Sequence, residues 1–291
     1  MQVRTMHFKS SVYLLIWLAI ALPPLISGWG YYMTPYVQRI HHTGYDLYKP
    51  SGFIGHGLGI LGSLMIIVGV TTYSLRKRFR SLSKLGKLRN WLSFHIFLCS
   101  LGPFLVILHT SFRLTGIIAI AFWSMIIVVA SGVFGRYVYV RIPKTPDGHF
   151  LNVHQLHEQR SQLIQTFSQV VPGHENVLQA MNIQMEVPRI IRPSQALTWA
   201  FSQDVLRFRS NHKWETLASE YNLTDEQTHA GAQMVKGLQR NAQQIALLQP
   251  FQKMFTYWHV MHIPLAMVMF VILIIHIAVA IAFGYTWIFG A

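Results

Sequence analysis

The chain has 291 residues, of which 52% are hydrophobic and only 12% charged; a soluble domain carries about 25% charged residues. Lys and Arg number 24 against 10 Asp and Glu, and nine of those acids fall between Asp147 and Glu226, so the remainder is apolar and strongly basic. The single cysteine, Cys99, excludes an internal disulfide and a four-cysteine iron–sulfur centre, and the absence of a CxxCH motif excludes covalently attached c-type haem.

The apolar residues fall into five long runs free of acids, the pattern of bilayer spans. The first, Ser11–Tyr32, follows a short basic stretch with Arg4 and Lys9. Pro23-Pro24 interrupts it and no A-x-A-like site follows, so it reads as a retained helix kinked at the prolines rather than a signal peptide. The second covers about Ser51–Leu75 and holds Gly55, Gly57, Gly59 and Gly62. The third is Trp91–Ser111, the fourth about Thr115–Val138, and the fifth about Phe255–Trp287.

Between the second and third runs, Arg76, Lys77, Arg78, Arg80, Lys84, Lys87 and Arg89 occur with no acid. Basic residues clustered beside apolar runs argue for the positive-inside rule rather than nucleic-acid binding, and they place this loop in the cytoplasm. Counting spans then puts the N-terminus inside and the C-terminus outside. Residues 141–254 fall inside too, and Arg136 and Arg141 agree.

That long segment reads as folded and helical. Candidate helices are His149–Val171, Ser194–Arg209 with Ser194 as N-cap, and Thr224–Leu248 with Asp225 and Glu226 in its first turn. Pro143, Pro146, Pro172, Pro188 and Pro193 punctuate it, and no phosphate loop or dinucleotide fingerprint occurs. The expected fold class is therefore an all-α integral membrane protein. It has five transmembrane helices, a four-helix haem-binding bundle and a helical cytoplasmic insertion. Residues 1–140 carry helices one to four, 141–254 the insertion, and 255–291 the fifth helix with a short outer C-terminus.

The candidate chemistry lies in four histidines. His95 and His109 sit on the third run, His262 and His276 on the fifth, and each pair is fourteen residues apart. Fourteen residues of helix return to within about 40° of the starting direction and rise roughly 21 Å. Each pair therefore shares one helix face, with one histidine near each side of the bilayer. Both helices run outward, so His95 and His262 are expected at the inner level and His109 and His276 at the outer. Neutral imidazole is an axial ligand for haem iron, and two of them fill both axial positions. His259, one turn before His262, is an alternative ligand. Polar residues are expensive inside a bilayer and tend to mark function.

These His-x13-His pairs resemble the di-haem cytochrome b core of quinol-oxidising bc complexes, and equally the membrane domain of ferric-reductase-type proteins. The resemblance covers the second to fifth helices. It implies two haem b groups, the inner iron held by His95 and His262 and the outer by His109 and His276. It also implies an electron-transfer subunit of an oxidoreductase complex; the asymmetry of the basic loops and the lack of an evident transit peptide point to a bacterial-type inner membrane. Such a subunit would work between a quinone pool and a partner carrying iron–sulfur, flavin or c-haem centres. The chain departs from those families in its long insertion, in lacking a Pro-Glu-Trp-Tyr motif, and in lacking a flavin and nicotinamide domain.

Further candidates surround this core. Gly102, midway between His95 and His109, would leave room between two haem faces, with helix packing as the alternative; Gly132 and Gly135 invite the same two readings. Arg113 is a candidate partner for haem propionates. His56 could bind a quinone head group, ligate a further haem, or hydrogen-bond a neighbour. His41 and His42 are expected in a solvated outer loop, and His154 and His157 on a polar helix face. No acid lies in any of the five runs, which argues against a carboxylate proton path. The rival reading is a non-redox membrane scaffold or transporter subunit that recruits a cytoplasmic partner.

Overall fold

The computed structural model describes residues 2–113, 117–143, 150–171, 174–180, 193–221 and 223–284. Pro146, Pro172 and Pro188, expected as breaks, lie outside these residues, as do Thr115, His149 and Trp287, expected at element ends. Among the described residues there is no β-strand. The helices are α1 (Gln2–Ser27), α2 (Trp29–Met33), α3 (Tyr45–Tyr48), α4 (Phe53–Arg78), α5 (Leu88–His109), α6 (Ile117–Arg141), α7 (Val153–Val170), α8 (His174–Ala180), α9 (Pro193–Glu220) and α10 (Asp225–Ala282). Single 3₁₀ segments cover Tyr36–His41 and Arg80–Lys84.

Four helices, α4, α5, α6 and α10, are long and apolar enough to cross a membrane, whereas the apolar part of α1, Ser11–Ser27, is shorter. Their outward faces are apolar: Met267, Val268, Val271, Ile274 and Ile275 on α10 are all exposed. Side chains of this kind belong against lipid, where a helix satisfies its own backbone polar groups. The chain is thus a membrane protein, and its described residues form helices and no strand.

The chain divides into two compact units, one of residues 1–131 and 262–291, the other of residues 132–261. The expected insertion, 141–254, is shorter than the second unit at both ends. Its core explains why: Val138 and Ile142 pack with Leu156, Ala196, Leu247, Phe251 and Met254, so the end of α6 and the middle of α10 belong to that unit's interior.

In the first unit, α4 and α5 cross in contact along a stripe of glycines. A Cβ on Gly62 would stand 2.6 Å from the Gly102 carbonyl oxygen, and one on Gly102 would stand 2.7 Å from the Gly62 oxygen. Only two glycines permit that approach. Gly102 therefore serves helix packing, the alternative weighed above. Around this crossing, α1 lays Tyr13 on Phe97 and Trp17 on Phe104 of α5, with ring centroids 5.1 and 5.0 Å apart. Ile66 of α4, Met125 of α6 and Met269 of α10 close a shared cluster on the other side.

In the second unit, α7, α8, α9 and the start of α10 enclose Phe167, Val177, Trp214, Leu217 and Leu238. Sequence signals for helix starts hold in part. Asn152 and Gln155 form a reciprocal capping box at α7. Thr224 caps α10, with the Gln227 N–H donating to its Oγ1 at 3.3 Å and its own N–H donating to Gln227 Oε1 at 3.0 Å. Helix α9 begins at Pro193, so Ser194 lies in its first turn instead of capping it. The two helices expected over 224–248 and 255–287 are joined in one, Asp225–Ala282. Pro250, between the two expected helices, is fully buried within it. Proline removes one helical hydrogen bond but need not end a helix whose apolar neighbours are packed. A polar staple joins α7 to α10. The Arg160 Nη1 group donates to the Leu238 carbonyl at 3.2 Å, and Asn241 Nδ2 donates to the Leu156 carbonyl at 2.9 Å. Burial lowers the Arg160 guanidinium pKa from its ordinary value.

Two outcomes follow from this packing. Gly62→Leu should destabilise the purified protein by about 1–3 kcal/mol or more, as overpacking does; an unchanged thermal midpoint in detergent would mean that α4 and α5 do not meet there. Asn241→Leu should cost about 1–3 kcal/mol by stranding the Leu156 carbonyl, read as faster limited proteolysis within residues 132–261.

Candidate functional site

The helix crossing carries the histidines with it. On α4, Gly55, Gly62 and Gly69 recur every seven residues; on α5, His95, Gly102 and His109 do the same. Because the helices are antiparallel neighbours, each set faces the other in reverse order. Gly62 meets Gly102, and the two histidines meet the outer two glycines. His95 Nδ1 lies 3.0 Å from the Gly69 carbonyl oxygen. His109 Nδ1 lies 2.8 Å from the Gly55 carbonyl oxygen. A carbonyl can only accept, so Nδ1–H donates in both cases. That leaves the Nε2 lone pair of each ring unprotonated and available to a metal. Each carbonyl also has a second lone pair for its own helix.

The surroundings of the two rings differ. Around His95 stand the Cys99 thiol, 3.5 Å from Nδ1, and the Tyr73 ring, 5.2 Å between centroids. Against His109 lies Gly59, where a Cβ would come within 2.8 Å of the imidazole. The His56 ring stands 6.3 Å from that of His109, at 61° to it.

On α10, His262 and His276 keep the fourteen-residue spacing. His262 Nδ1 is 2.6 Å from Ser131 Oγ of α6. His276 lines a cavity of about 430 Å³ together with His56 and His109. The remaining wall is almost wholly apolar and comes from all four long helices, including Ile67, Val106, Phe122, Met125, Met269 and Leu273. Ile60, Leu64 and Ile281, which also line it, are exposed on the outer surface of their helices. The cavity thus brings together His109 and His276, the pair expected at one level, and adds His56. Among the described residues, no three His, Cys, Asp or Glu cluster closely enough to hold a bare metal ion.

Other candidates lie elsewhere. Arg113 is exposed, its guanidinium 5.4 Å from the Tyr36 ring centroid, and it is not part of the cavity wall. Gly135 does not leave open space: the Trp258 indole fills it, 2.1 Å from where a Cβ would stand. His259, the alternative to His262, packs edge-on against Trp258 and beside Phe255. His154 and His157 are exposed on α7. His42 is not simply solvated; its Nδ1 accepts the Gly44 N–H at 2.9 Å, and its ring meets Tyr31.

Sequence reasoning overlooked three groups: the Gly55 and Gly69 carbonyls, Ser131, and Arg39. The first had a legible signal, since Gly55 and Gly69 repeat the fourteen-residue interval of His95 and His109. Arg39 had none. It sits 8% exposed in the 3₁₀ segment, donating to the Thr34 and Tyr32 carbonyls at 2.8 Å each and to the Ser111 carbonyl. Just past His109, Ser111 and Phe112 adopt left-handed φ values of 49° and 60°. For residues other than glycine, such strain costs on the order of 1–3 kcal/mol each and persists only where neighbours enforce it.

No known protein family, curated protein or solved structure matches this chain.

Proposed function

We propose that the protein is the membrane subunit of an electron-transfer complex, a di-haem b-type cytochrome. On this reading it passes electrons across the bilayer between a quinone pool and a partner redox protein. The observation that carries the reading is the doubled imidazole anchor. His95 and His109, fourteen residues apart on α5, each give their Nδ1–H to a glycine carbonyl fourteen residues apart on α4, which leaves both Nε2 atoms for iron. A histidine that ligates a metal almost always donates its other ring N–H in this way.

The outer residues fit the group. His109 and His276 share a cavity with an apolar wall, and its opening among Ile60, Leu64 and Ile281 suits an apolar macrocycle rather than a hydrated ion. At the inner level, His95 and His262 would be the ligands, with Ser131 fixing the His262 ring. Each haem, when bound, would supply a one-electron iron couple. The chain's own task is to hold the rings, keep water from the outer cavity and bring two sites to the two sides of the bilayer. A fifth span formed by α1, the N-terminus inside and the C-terminus outside, and a bacterial-type inner membrane complete the reading. Residues 141–254 would offer the cytoplasmic docking surface for a subunit with iron–sulfur, flavin or c-haem centres.

The deciding experiment is a reduced-minus-oxidised spectrum of the detergent-purified protein with pyridine haemochrome quantitation. Two b haems per chain with sharp low-spin α bands are expected; none would sink the reading and leave a scaffold or transporter subunit. Substituting His109 or His276 with Ala should remove the outer haem alone, and survival of both haems would refute the ligand assignment. Gly59→Val, which pushes a side chain into the His109 ring, should weaken outer-haem retention about 10–100-fold while sparing the inner haem. Equal loss of both would show that it acts on folding.

A further inference from the structure

We propose that Arg39 is a positioning residue for the outer haem ligand: by binding three backbone carbonyls it locks the turn after α5 and so holds the His109 imidazole. The inference rests on the haem reading of His109.

Arg39 draws together three segments. Its Nε–H donates to Thr34 O at 2.8 Å, its Nη2 group to Tyr32 O at 2.8 Å, and its Nη1 group to Ser111 O. The guanidinium also lies over the Tyr31 ring, 5.2 Å from the centroid. Only a planar fork of donors can serve three carbonyls in different directions; a lysine ammonium is a single point. A charge this deeply buried is costly, which a plain surface loop would not require.

Ser111 is held from a second side as well. Its hydroxyl donates to the Tyr48 carbonyl at 3.0 Å. The Tyr48–Lys49 backbone in turn abuts Gly55, where a Cβ would stand 2.1 Å from Lys49 O and 2.9 Å from Tyr48 O. Gly55 carries the carbonyl that receives His109 Nδ1–H. The contacts therefore close a ring from Arg39 to Ser111, Tyr48, Gly55 and His109. Only Thr110 separates His109 from Ser111, and the left-handed pair Ser111-Phe112 is the part of that ring most prone to relax. Releasing Arg39 frees the turn, lets the last turn of α5 fray and loosens the imidazole from its carbonyl.

The test uses the full chain with Arg39→Met and Arg39→Lys, read by potentiometric titration and by the electron paramagnetic resonance of the two low-spin haems. In Arg39→Met the outer-haem signal should shift and broaden, and outer-haem retention should fall about tenfold, while the inner haem in the same sample stays unchanged. Arg39→Lys should show the same outer shift, because charge without the fork does not restore the clamp. If Arg39→Met does not fold, Arg39→Lys decides alone. Outer and inner signals both unchanged in the folded variants would overturn the proposal. If the wild-type protein binds no haem, the functional reading falls, and amide hydrogen exchange over residues 105–113 then tests the clamp. Faster exchange in Arg39→Lys than in wild type upholds it, and equal exchange overturns it too.

Discussion

Two helix backbones meet in the first unit with no side chain between them, and the candidate chemistry depends on that contact. Where Gly62 and Gly102 meet, α4 and α5 stand too close for any side chain. Only at that separation can an imidazole on one helix reach a main-chain carbonyl on the other. The reach is made twice, one heptad to either side of the glycine contact, at His95 and at His109. A seven-residue repeat drifts by about 20° per heptad against a straight helix, so a seam kept over two heptads needs gentle mutual coiling. Helix packing and ligand orientation are here one constraint. Any residue larger than glycine at the crossing would move both rings.

The two imidazoles are held alike but not housed alike. His95 has a thiol and a tyrosine ring for neighbours, and His109 has a third histidine and an apolar cavity. With haem bound at both as proposed, environments of such different polarity would give the two groups different potentials. The His109 end is also the more heavily braced: Tyr31, Tyr32 and Tyr48 pack with Leu101, Leu105 and Leu108 of α5 as a small aromatic cap, while His41 and most of residues 33–47 stay exposed. A cap rich in aromatic rings suits the edge of a bilayer, where one face is apolar and the other wet.

The second unit is stabilised by different means. Its helices bury ordinary aliphatic and aromatic cores, and they are pinned by the Arg160 and Asn241 bonds to backbone carbonyls of the facing helix. These bonds set register: each polar head finds a partner in only one alignment, whereas apolar side chains tolerate several. The unit presents an exposed polar surface on α7, including His154, His157 and Glu158.

Much was legible in the chain itself. Apolar runs free of acids declare membrane helices because no other environment accepts them, and a fourteen-residue histidine interval declares a shared face because the helix has a fixed pitch. The capping residues Asn152 and Thr224 were equally local, and Thr224 was read correctly. What the chain could not declare was anything decided by a partner far away in sequence. Gly102 could have faced an open space or a helix, and only the position of Gly62 settles it. Residues 224–248 and 255–287 read as two separate helices, but α10 runs on through the buried Pro250. Nothing in the sequence around Arg39 marks it, and its role is set only where the Tyr32, Thr34 and Ser111 carbonyls converge on it. Periodicity and hydropathy act along the chain, and therefore survive in one dimension; close approach, convergent hydrogen bonding and enclosure exist only once distant segments have met.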